Sequence, residues 1–83
     1  MPLFMDVHEK VDGATAQAVA DAHQKDLEVQ GKYGVTYQRY WLDESTGRIF
    51  CLVEAPDKDA AARVHREAHG LVADDICEVI EGE

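Results

Sequence analysis

Tyr37-Gln38-Arg39-Tyr40-Trp41-Leu42-Asp43-Glu44-Ser45-Thr46-Gly47-Arg48-Ile49-Phe50-Cys51-Leu52-Val53-Glu54-Ala55 is the stretch that decides the fold. Its two flanks, Val35–Asp43 and Arg48–Ala55, hold β-branched residues, large aromatics and Leu, the side chains that suit a pleated surface. Asp43-Glu44-Ser45-Thr46-Gly47 between them is turn material. The stretch predicts a β-hairpin that sets Asp43 opposite Arg48. Upstream, Thr15 is placed to cap a helix over Ala14–Tyr33, in which Val19, Ala22, Val29 and Tyr33 recur at helical spacing before Gly34 stops it. Downstream, Pro56-Asp57 opens a second helix over Lys58–His69, with Ala60, Ala61, Val64 and Ala68 as its apolar stripe and Gly70 as its stop. One short strand lies beyond each helix, Leu3–His8 at the start and Asp75–Glu81 at the end. Gly82 and Glu83 form a short acidic tail.

The order is βαββαβ, the split βαβ arrangement of the ferredoxin-like α+β fold. Right-handed crossovers then give the antiparallel sheet order 4-1-3-2 with two helices on one face. A chain of 83 residues buries only about 60% of its unfolded surface, so one domain over residues 1–83 is expected. In this topology the end of strand 1, the start of helix 1, the end of helix 2 and the start of strand 4 share one edge of the sandwich. His8 and His69 are expected at that edge. Cys51 and Cys77 fall on strands separated by strand 1, roughly 9.5 Å apart, so no internal disulfide is expected and each reads as a small core hydrophobe.

Alternation divides every strand between two faces. Leu3, Met5, Val7, Tyr40, Leu42, Ile49, Cys51, Val53, Cys77 and Val79 make the more apolar set, which is expected to meet the helices. Phe4, Asp6, His8, Tyr37, Arg39, Trp41, Phe50, Leu52, Glu54, Ile76, Glu78 and Ile80 are expected on the open face. Phe4, Trp41, Phe50, Leu52 and Ile80 there form a patch too apolar for water, which predicts a homodimer closed sheet to sheet.

Seventeen Asp and Glu against eight Lys and Arg leave a formal charge of -9, which repels phosphate backbones and anionic lipid. Neither nucleic acid nor a membrane is an expected partner. No run approaches the roughly 18 apolar residues of a membrane span, and the N-terminus lacks the basic start and apolar stretch of a signal peptide. A cytoplasmic location is expected.

His65 and His69 are four apart on the second helix, one above the other on the flank of its buried stripe, partly exposed and able to address one divalent ion. Imidazole suits nickel, zinc and copper. Further ligands can come from His8 at the end of strand 1, from Asp6 or Glu9, from His23 with Asp26 three residues on, or from a second chain. His65-Arg66-Glu67-Ala68-His69 is not the His-Glu-x-x-His protease motif, because Glu67 is displaced. A second constellation, Asp6, His8, Arg39, Glu54 and Glu78 on the open face, suggests the alternative of a small enzyme of the dimeric α+β barrel type, with Asp6, His8, Arg39 and Glu78 in a polar cavity. No phosphate loop, nucleophile triad or dinucleotide fingerprint accompanies it, and a protein without catalytic activity is expected.

Met5-Asp6-Val7-His8, Ala22-His23 with Asp26-Leu27, Tyr37–Leu42, Phe50-Cys51-Leu52-Val53-Glu54-Ala55-Pro56 and Val64-His65-Arg66-Glu67-Ala68-His69-Gly70 together resemble a family of small bacterial nickel-binding proteins with a ferredoxin-like fold. The likeness covers nearly the whole chain. It implies a homodimer that binds Ni2+, with Zn2+ or Cu2+ as chemically allowed substitutes, for sequestration or detoxification of the metal. Carried onto this sequence, it implies His65, His69, His8 and His23 as ligands, with Asp6, Glu9 and Asp26 beside them.

Overall fold

Thr15 and Asp57 set the two helices. The Thr15 hydroxyl accepts from the Ala18 N–H at 3.1 Å and the Asp57 carboxylate from the Ala60 N–H at 2.8 Å, satisfying donors that the first turn leaves free, each worth about 1 kcal/mol. The computed structural model describes residues 1–82, and Glu83 of the acidic tail lies outside the described residues. Its elements are β1 (Leu3–His8), α1 (Ala16–Val29), a 3-10 turn (Gln30–Tyr33), β2 (Thr36–Asp43), β3 (Arg48–Glu54), α2 (Lys58–Ala68) and β4 (Asp75–Val79). The first helix is therefore shorter than the expected Ala14–Tyr33. Its last turn tightens to 3-10, and Gly34 ends it in the left-handed region at φ +66°.

The sheet order is β2-β3-β1-β4, with every neighbouring pair antiparallel, the ferredoxin-like order expected. Asp43 pairs with Arg48 across the hairpin. Gly47 in that turn has φ +80°, and a Cβ on it would lie 3.0 Å from the Val11 carbonyl oxygen. Only glycine fits there, because the loop after β1 docks on the turn through Val11 N–H to Gly47 C=O at 3.0 Å. That contact fixes the position of residues 11–14 over the site described below.

Between sheet and helices lies a core of Phe4, Val19, Val35, Tyr37, Ile49, Cys51, Val53, Ala55, Ala61 and Val64. Of its four largest side chains under 2% exposed, His65, Val53, Val64 and Asp6, two are ionisable. An aspartate is almost never fully buried without a partner.

The division of the strands between faces is corrected at three places. β1 is turned over: Phe4, Asp6 and His8 are buried toward the helices, opposite Val53, Cys51 and Ile49, and Leu3, Met5 and Val7 take the open face. β4 follows by pairing, Ile76 facing with Asp6 and Cys77 with Met5. Cys77 is thus exposed rather than a core residue, on the opposite side of the sheet from the buried Cys51, and both are free thiols. In β2, a bulge between Tyr37 and Arg39 breaks the alternation, so that Tyr37 and Tyr40 both face inward although they are three residues apart. Tyr40, Leu42, Ile49 and Val53 face the helices as expected. The open face stays apolar with a changed membership: Trp41, Phe50 and Leu52 remain, Leu3, Met5, Val7 and Val79 join, and Phe4 leaves for the core.

Candidate metal centre

Asp6 from β1 and Asp26 from α1 converge on one imidazole, that of His65 on α2. His65 is 1% exposed and is held at both nitrogens. Its Nδ1 lies 2.8 Å from Asp26 Oδ1, and its Nε2 lies 3.0 Å from Asp6 Oδ2. The second approach is short but badly angled for a hydrogen bond, so His65 Nε2 and Asp6 Oδ1 are buried without a directed partner. The same Asp6 Oδ2 accepts from the Tyr37 hydroxyl at 2.8 Å. His8 Nε2 stands 3.5 Å from Asp6 Oδ1, and the His8 and His65 rings meet edge to face at 5.1 Å.

On the outer side, His69 is one turn further along α2. Its Nε2 is 3.1 Å from both His65 Nδ1 and Asp26 Oδ1, and its Nδ1 accepts the Leu71 N–H at 3.1 Å. That bond holds the ring and leaves the hydrogen of a neutral His69 on Nε2, so an ion bound at Nε2 would move the hydrogen to Nδ1 and release the Leu71 N–H. Asp26 Oδ1, His65 Nδ1 and His69 Nε2 therefore form a triangle of 2.8, 3.1 and 3.1 Å. Nitrogen or oxygen ligands held at about 2.1 Å from a six-coordinate ion are neighbours about 3.0 Å apart, so the triangle has the dimensions of one octahedral face.

The electrostatics follow from two carboxylates enclosed in a low-dielectric interior. Burial opposes ionisation of Asp6, but contacts with His65, His8 and Tyr37 outweigh it and hold the carboxyl far below the usual range. Asp26 is likewise lowered by His65 and His69 against the effect of burial. Burial pulls the His65 imidazole down, and the two carboxylates beside it more than reverse this, raising it to about 9. With no other ion present, that proton offsets one of two buried negative charges. A divalent cation bound to neutral imidazoles would offset both, and the two unpartnered buried atoms fit such an ion.

A half-open cavity of about 140 Å3 leads to this cluster. His8, His23, Asp26, Cys51, His65 and His69 present the polar groups, and Val11, Ala14, Ala18, Val19 and Leu71 supply apolar walls. Of the residues expected as ligands, His65, His69, His8, Asp6 and Asp26 are brought together. His23 lines the same cavity but lays its ring on Tyr40 at 4.7 Å, while Asp26 turns away from it to α2. Partial burial lowers the His23 pKa against the raising effect of Asp26. Glu9 is outside the cluster: it is exposed, its carboxylate pairs with Arg48 at 3.4 Å, and its N–H donates to Asp74. The expectation that both α2 histidines are partly exposed holds for His69 alone, because the inverted β1 supplies His65 with a polar floor.

The polar constellation expected on the open face does not assemble. Asp6 and His8 face the helices, Arg39 lies on the other side of the sheet, and Glu78 is exposed opposite Phe4 on edge strand β4. Cys51 and Tyr37 are the two members that sequence reading missed. The buried Cys51 thiol belongs with Asp6, His8 and His65 to a group whose ligating atoms all lie within 4.8 Å of one another. Burial and the neighbouring Asp6 push its pKa well up.

Fold and site define a small ferredoxin-like protein with a buried histidine and aspartate cluster whose donor atoms suit a divalent ion. The chain belongs to the family described as nickel responsive protein SCO4226-like, which its residues 4–79 match. It is similar to the crystal structure of SCO4226 from Streptomyces coelicolor A3(2), with 41% sequence identity and a TM-score of 0.90 over 98% of this chain and 99% of that one. No curated protein matches it. Among the described residues no helix is long and apolar enough to cross a membrane.

Proposed function

We propose that this chain is a non-catalytic cytoplasmic protein that binds nickel, working as a homodimer closed through the open sheet face and withdrawing the free ion from solution. The observation that carries the metal reading is the triangle of Asp26 Oδ1, His65 Nδ1 and His69 Nε2, with sides of 2.8 to 3.1 Å, at the cavity. Imidazole and carboxylate together suit nickel among the divalent ions. The printed description of the family as nickel responsive supports the same choice. By the order of intrinsic affinities copper binds such a set at least as tightly, so nickel preference depends on which ion is supplied.

The dimer reading rests on the apolar strip of Leu3, Met5, Phe50, Leu52 and Trp41, the last 47% exposed, on a face no helix covers. Equilibrium dialysis against Ni2+ tests the metal reading. His69→Ala and Asp26→Ala are expected to weaken binding by more than the roughly 10–100-fold that loss of an outer-shell partner costs. Glu9→Ala is expected to change nothing. Unaltered binding in both site variants would overturn the assignment.

A further inference from the structure

His65 faces two sets of ligands, one on each ring nitrogen. Nδ1 looks to Asp26 and His69, and Nε2 looks to Asp6, beside which stand His8 and Cys51. We infer that Asp6, His8, Cys51 and His65 form a second, inner metal position, selective for a thiophilic divalent ion such as zinc and alternative to the outer one. Two observations carry it. All four residues are buried with ligating atoms within 4.8 Å of one another, and the two atoms of the cluster left without a directed partner, Asp6 Oδ1 and His65 Nε2, both belong to this set.

The ligand chemistry differs from that of the outer triad. One thiolate, one carboxylate and two imidazoles make a four-coordinate set with no open position, each of them a ligand type that zinc accepts. Thiolate shifts preference toward zinc and away from ions that favour nitrogen and oxygen. Charge also balances. Two protons leave to solvent, one from the Cys51 S–H and one from Nε2 of the His65 imidazolium; thiolate and Asp6 carboxylate then meet the two positive charges of the ion, and Asp26 keeps its hydrogen bond from His65 Nδ1–H. An entry path exists, since His8, Cys51 and His65 line the cavity.

Exclusivity follows from the imidazole. A neutral ring has one lone pair and one N–H. When Nε2 binds an ion at the inner position, Nδ1 carries the hydrogen and donates it to Asp26. When Nδ1 binds at the outer position, Nε2–H faces Asp6. One histidine therefore decides which position is filled, and the carboxylate on the vacated side orients the ring.

The inner position goes beyond the nickel reading and is tested separately, with Zn2+ and Co2+ on the full chain. X-ray absorption of the wild type loaded with one equivalent of Zn2+ is expected to show one sulfur neighbour at about 2.3 Å. Co2+ is expected to give a thiolate-to-metal charge-transfer band and the intense visible bands of a four-coordinate site. Cys51→Ser is expected to lose the charge-transfer band and to bind Zn2+ at least about 10-fold more weakly, whereas His69→Ala keeps both. Prior loading with Zn2+ is expected to remove the His69-dependent part of nickel binding. A zinc spectrum without sulfur overturns the proposal and needs no variant to fold. Undiminished His69-dependent nickel binding to the zinc form overturns the exclusivity. Nickel binding indifferent to His69 would instead remove the outer triad and leave the inner position standing on its zinc–sulfur distance.

Discussion

Asp26 Oδ1 and His65 Nδ1 meet at 2.8 Å across the interface between α1 and α2. The bond that closes the two helices over the sheet is therefore the bond that aligns the candidate ligands, and stability and metal binding are coupled through one contact.

Asp26→Asn should reveal that coupling without metal. The variant keeps the shape of the side chain but removes one partner of a buried ion pair, a change that costs about 3–5 kcal/mol, a large share of the 5–15 kcal/mol typical of a domain. Urea denaturation of the metal-free protein should show the loss. A midpoint within error of the wild type would mean that Asp26 carries no charge-dependent contact.

Metal-free stability should fall as the solution becomes alkaline. An unfolded histidine titrates near 6.5, whereas folded His65 is raised to about 9. Its stabilisation is complete below pH 6.5 and disappears as pH rises through 9, a difference of about 3 kcal/mol. Asp6, held low, acts at the other end: its contribution is present above the free carboxyl value and fades as pH falls below it. Thermal melts between pH 6.5 and 10 in chelator check the sign. A melting temperature that rises with pH from 7 to 9 contradicts it.

The same proton competes with the ion. A ligand nitrogen must be unprotonated, so nickel binding at pH 7 should displace about one proton from His65, and affinity should tighten about tenfold per pH unit until near pH 9. Calorimetry in two buffers of different ionisation enthalpy measures the proton count. A count of zero at pH 7 would show that His65 is not displaced from its proton.

Much of this site was readable in the sequence, for local reasons. The hairpin turn, both N-caps and the helix stops are set by residues near one another in the chain, and His65 with His69 follows from helical spacing alone. The orientation of β1 was not readable from composition. Polarity divides its two alternating sets, Leu3, Met5, Val7 and Phe4, Asp6, His8, and polarity misleads where buried partners satisfy an aspartate. Strand pairing, which only the structure supplies, resolves it: Asp6 lies opposite Cys51, a residue that the hairpin register places on the helix side. Tyr37 was hidden by the bulge after it, which no alternation rule anticipates.

The open face gives a prediction independent of metal. Trp41 is 47% exposed in the apolar strip of the sheet, and a like-charged residue placed there on two facing copies would meet itself across a two-fold axis. Trp41→Glu should sediment as a monomer at concentrations where the wild type is a dimer, with its circular dichroism unchanged. A wild-type monomer, or an unaffected dimer in the variant, would remove this face as the interface.

The most direct measurement is anomalous diffraction at the nickel edge from a crystal of this protein soaked in Ni2+, since it identifies the element and the atoms touching it. The expected result is a peak about 2.1 Å from Asp26 Oδ1, His65 Nδ1 and His69 Nε2, at the cavity between the two helices. Nickel peaks found only away from these three atoms, with His65 Nδ1 still bonded to Asp26 Oδ1, would contradict the account.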